Sequence, residues 1–136
     1  MTEIYSFDTL LQAAREQPEP QRLLFLFLKA GLPDDHDEAQ AARFREGQGG
    51  ALLPIMYVDK LLRELSTFEA LVEESRQMGE DWHIMLVAAM PGRDGVPPSE
   101  GQADDALKVM VKTVHAGGDL SQYLAFDTRG KPVRFL

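Results

Sequence analysis

No cysteine occurs in the chain, and that absence excludes disulfides, thiolate metal sites, cysteine-ligated iron–sulfur clusters, thiol redox chemistry and cysteine nucleophiles together. Nor is there an apolar run approaching the ~20 residues a membrane-spanning helix needs. Met1, Thr2 and Glu3 are followed by neither a basic segment nor an apolar stretch, so no secretory signal is expected. Basic charge is scarce as well. The 14 Lys and Arg stand against 22 Asp and Glu, and a formal net charge of -8 disfavours nucleic-acid backbones and anionic membranes as partners. These absences predict an acidic, cytoplasmic protein that contacts neither nucleic acid nor membrane.

What is present is enough apolar material for a continuous core: 44% of 136 residues, the length of one ordinary domain spanning 1–136. The densest local signal is Gly47, Gln48, Gly49 and Gly50, running directly into the apolar stretch Ala51 to Val58. Glycine loops that cradle phosphates open a helix, usually with a lysine and a hydroxyl at its start. Here the loop opens a strand and none of those residues follows Gly50. The run therefore reads as a helix stop and a chain reversal.

Phe7, Leu10, Leu11 and Ala14 recur at helical spacing behind a capping Ser6, and Pro18 and Pro20 forbid continuation. Leu23 to Leu28 is an unbroken apolar run between Arg22 and Lys29, as expected of a strand covered on both faces. Asp37 and Gln40 form a capping-box pattern and Gly47 a stop, which predicts a short second helix. Ile55 to Val58 reads as the second strand, with Pro54 at its start or at an edge. Ser66 with Glu69 caps a helix carrying Phe68, Leu71, Val72 and Ser75 on one face and ending at Gly79. Trp82 to Met90 is a third, central strand, and Pro91 to Pro98 a loop. Ser99 with Gln102 caps a helix whose stripe is Ala103, Ala106, Leu107, Met110, Val111 and Val114, stopped by Gly117 and Gly118. Tyr123 to Phe126 and Val133 to Phe135 flank the turn Asp127 to Gly130 as a C-terminal hairpin, with Pro132 confining its second strand to an edge.

The alternation predicts an α/β fold: a single domain with a mixed, partly parallel sheet of about five strands, flanking helices and a C-terminal β-hairpin. At this point the segments Gln17 to Phe25, Gly47 to Ala51, Val58 to Lys60 and Phe68 to Gln77 carry a resemblance over most of the chain. The chain resembles a family of small, uncharacterised proteobacterial proteins often labelled "ribonucleotide reductase subunit alpha". The resemblance implies a bacterial protein and brings no site residues with it. A chain without cysteine cannot supply the thiyl radical of that reductase's catalytic subunit, so it is not a functional one.

If the first three strands are parallel, ligands gather beyond their carboxyl ends. The residues just past those ends are Lys29 and Asp34, then Asp59 and Lys60, then Arg93 and Asp94, and this mixed-charge set is the candidate site for a small polar ligand. Asp34, Asp35, His36, Asp37 and Glu38 form an acidic run without the ligand alternation of an EF-hand, and it reads as a solvated helix start. His83, placed within the third strand, and His115, in the last turn of a helix, have no nucleophile pattern around them. Arg129, Lys131 and Arg134 make the one basic patch, suited to an acidic partner or to keeping an edge strand soluble. No metal, cofactor or catalytic residue is expected. The expected function is a non-enzymatic interaction or regulatory module, acting on a protein partner or by self-association through the terminal hairpin. The alternative is a small polar-ligand-binding domain or modest enzyme using the strand-end loops.

Overall fold

A computed structural model describes residues 4–31, 51–79 and 81–134. The predicted second helix, the glycine run and the acidic run that includes Asp34 and His36 lie outside the described residues. Helix α1 (Phe7–Arg15) starts where Ser6 and Thr9 cap each other reciprocally, and its four apolar stripe residues are all buried. Strand β1 (Gln21–Gly31) follows, and β2 (Ala51–Leu61) lies antiparallel against it, with Phe25 opposite Val58. The register slips between Phe27 and Leu28, so Ile55 is an extra residue beside Pro54, which has no N–H to contribute to the ladder.

Helix α2 (Phe68–Gln77) is capped by the Thr67 side chain accepting from the Ala70 N–H, one residue later than the Ser66 box predicted from sequence. Gly79 ends the helical segment with φ 86, a conformation that costs a glycine little. Strand β3 (Ile84–Pro91) pairs antiparallel with the other side of β1. Trp82 and His83 precede this strand rather than forming part of it. Helix α3 (Glu100–His115) has the Ser99–Gln102 capping box, and β4 (Leu124–Asp127) closes the sheet antiparallel to β3.

Among the described residues the sheet is thus four-stranded, in the order β2-β1-β3-β4, with every neighbouring pair antiparallel. This corrects the partly parallel sheet of about five strands read from sequence. The α/β content stands; the strand directions do not. β2 and β3 do run parallel, but β1 lies between them, so the connection through α2 is a crossover that skips one strand. The expected C-terminal hairpin is also reduced. Among the described residues its return limb makes a single bridge, Pro132 to Phe126, with Val133 N–H donating to Ala125 O; Phe135 lies outside them.

The unbroken Leu23–Leu28 run has a direct cause: both faces of β1 are covered. Leu23, Phe25 and Phe27 pack with α1, α2, Trp82 and Phe126, while Leu24, Leu26 and Leu28 pack with α3. Phe7 makes edge-on contact with Phe68 at 5.4 Å between ring centres, and Trp82 with Phe27 at 5.2 Å. The indole N–H of the buried Trp82 donates to Ser75 Oγ at 2.8 Å, which explains a serine buried on the apolar face of α2.

Candidate functional site

The candidate strand-end residues divide between the two ends of the sheet. Lys29 sits opposite Leu53 near the start of β2, whereas Asp59 and Lys60 lie opposite Leu24 and Leu23 near the start of β1. Of the first three strands only β2 and β3 share a carboxyl end, because β1 runs the other way. Asp59 and Lys60 are neighbours on a strand and so address opposite faces. Asp59 Oδ2 lies 2.6 Å from Arg22 Nη1 on the α3 face, and Lys60 Nζ lies 2.7 Å from Glu74 Oε1 of α2 on the other. The structure therefore brings Asp59 together with Arg22, a residue the sequence reading used only as the edge of an apolar run. Arg22 is 8% exposed, and its Nε also donates to Pro98 O at 2.8 Å. It ties β1, β2 and the loop after β3 into one corner.

That loop contains a miniature hairpin. Arg93 and Val96 exchange backbone hydrogen bonds around Asp94 and Gly95, with φ 53 and 79 at the two central residues, as an Asp-Gly turn of type I′ requires. A Cβ on Gly92 would come within 2.1 Å of Val96 O, so the chain closes on itself there only because that side chain is hydrogen. Arg93 and Asp94 are exposed, beside an open cavity of about 500 Å³ lined by Met90 to Arg93, Val96 to Pro98 and Gln102.

A second feature lies at the opposite side of the sheet. The ladder between β3 and β4 runs from Ile84–Asp127 to Val87–Leu124 and stops. Among the described residues, nothing pairs with the same side of Ala88–Pro91. Gly92 N–H donates to Pro20 O in register with the β1 ladder, and strand alternation then turns the N–H and C=O of Ala89 away from β1, toward the open side. Beside this open half-edge is a groove of about 230 Å³ lined by Ile4, Leu10, Ala13, Ala14, Ala89 and Leu124, among others. Ile4 and Leu124 are 38% and 36% exposed.

Other polar clusters are local. Asp104 accepts from Lys108 at 2.9 Å one turn along α3 and meets Tyr57 of β2; the Lys108 hydrogen bond holds the Asp104 carboxyl below its ordinary value. Asp119 is held low by hydrogen bonds from Ser121, the side chain foremost. His83 Nδ1 accepts from Ala30 N–H at 2.9 Å, so this ring has a backbone partner that sequence spacing did not disclose. Among the described residues no group of three His, Cys, Asp or Glu is placed to hold a metal ion, and no helix is long and apolar enough to cross a membrane. In comparisons with protein-family models, curated proteins and solved structures, nothing matches the chain.

Proposed function

We propose that this chain is a non-enzymatic interaction module whose β3–β4 edge accepts an extended segment of a partner protein. The observation that carries the reading is the open half-edge at Ala88–Pro91 with an apolar groove beside it. A sheet edge offers main-chain hydrogen bonds to any extended chain, and adjoining pockets for alternate side chains make the pairing selective. Proteins that do not use such an edge cover, charge or bend it. Here Pro91 ends the open stretch, and the exposed residues flanking the rest of it include Ile4 and Leu124, with Tyr5 next to them 66% exposed.

Panning a displayed random-peptide library and measuring the enriched peptides by fluorescence anisotropy tests this. Ala89→Pro removes the outward N–H at an edge position where proline is tolerated. The expected result is peptide binding that weakens at least about tenfold in Ala89→Pro, a loss of ~1.4 kcal/mol, with an unchanged melting temperature. No enriched peptide, or equal binding to both proteins, contradicts the reading.

The cavity beside Arg93 supports a second reading, a small polar-ligand site. Its test is a thermal-shift screen against nucleotides and metabolites. A ligand acting there stabilises the wild type and loses its effect in Arg93→Ala. If nothing stabilises the protein, this reading fails.

A further inference from the structure

We infer that the segment accepted by this edge is acidic and carries a bulky apolar side chain, an inference that rests on the interaction reading above. Ile4 and Leu124 also line a second cavity of about 450 Å³, whose other walls include Tyr5, Tyr123, Phe126 and Arg134. The two concavities share those two residues as walls and so adjoin at the start of β4. The second has the volume of a small-ligand pocket, with aromatic walls suited to an apolar side chain entering from the chain on the edge.

Charge decides the rest. Arg129, Lys131 and Arg134 are exposed, and among the described residues none of them makes an ion pair. Asp127 and Asp119, the carboxylates nearest in sequence, keep their charge and leave the cluster one net positive charge, and both are held by hydrogen bonds to neutral groups. Asp127 Oδ1 accepts the N–H groups of Arg129 and Lys131 at 2.8 and 3.0 Å, and Asp119 Oδ1 accepts from Ser121. Arg134, in the wall of that cavity and with Lys131 and Arg129 just before it in sequence, attracts an acidic segment at contact.

The net charge of -8 opposes that attraction at long range. At physiological salt charges are screened beyond ~8 Å, so the local cations dominate once the segment is seated. The acidic end of the partner therefore lies toward Arg134.

The test uses two labelled peptides with the same central phenylalanine in an extended, alternating sequence, one flanked by Glu and the other by Lys. Anisotropy is read with the wild type, with Ala89→Pro and with Lys131→Glu/Arg134→Glu. The Glu peptide is expected to bind at least about tenfold tighter. Its affinity falls as salt rises from about 50 to about 500 mM, since the contact charges are then screened. The charge-reversed variant prefers the Lys peptide. If the Lys peptide binds the wild type equally well or better, and Ala89→Pro abolishes both, the acidic partner is overturned while the edge survives. If neither peptide binds, both readings fall. If the wild type sediments as a dimer that Ala89→Pro dissociates, the occupant is a second copy and the acidic-segment inference is wrong.

Discussion

At the scale of single residues, the corner built by Arg22 is the most exacting chemistry in the fold. Breaking a buried ion pair from one side leaves an uncompensated charge and costs about 3–5 kcal/mol when both groups are fully buried. The Asp59 side chain is 26% exposed, so water offsets part of that cost. Asp59→Ala is therefore expected to lower stability by about 2 kcal/mol in urea denaturation. The double variant Arg22→Met/Asp59→Leu recovers most of the loss; a double variant no more stable than the single one contradicts this account of the corner. Sequence reading picked out Asp59 but could not see Arg22 as its partner, because the two are brought together by a strand register. Lys60 was legible as a charge at a strand end, but not its turn toward Glu74 on the opposite face. Asp94 and Gly95 did carry a readable signal, the Asp-Gly dipeptide of a two-residue hairpin turn. Lys29 was misplaced for a different reason: its grouping with Asp59 and Arg93 depended on strand direction.

Elements were more legible than sites, since their limits are set by neighbours in sequence. The stripe and caps of α1 and α3 were readable from Ser6, Ser99 and Gln102, because capping is satisfied within one turn. Ser99→Ala is expected to cost about 1 kcal/mol, read as a lower urea midpoint; an unchanged midpoint would show that the cap is replaced by water. The start of α2 was misread by one residue because Ser66 and Thr67 are both good caps and only geometry chooses Thr67. Acid titration also belongs to this scale. Lys108 holds Asp104, and Ser121 holds Asp119, below the ordinary carboxylate value of 3.8. A depressed folded value means that the stabilisation is present above pH 3.8 and is lost as pH falls through the lower folded values. Carboxyl carbon shifts followed by NMR are expected to give midpoints under 3.8 for both groups, with Lys108→Ala raising that of Asp104 and Ser121→Ala that of Asp119. Midpoints that stay put in these variants contradict the assigned causes.

At the scale of the whole molecule, the sequence reading erred on direction. Helices on both faces bury β1 from Gln21 to Leu28, and burial on both faces yields an unbroken apolar run whichever way the neighbouring strands point. Strand order and direction depend on long-range pairing, which no local pattern encodes. That pairing also creates the feature on which the functional reading rests, for β4 is shorter than β3 and leaves half of it open. Amide hydrogen exchange at Ala89, resolved by NMR, tests the open edge most directly. In the free chain the Ala89 amide is expected to exchange far faster than that of Val87, whose side of the strand is paired to Leu124, and to become protected when an edge-binding peptide is added. An Ala89 amide protected as well as Val87 in the free chain would mean that the edge is already covered, and the proposed interaction surface would not exist.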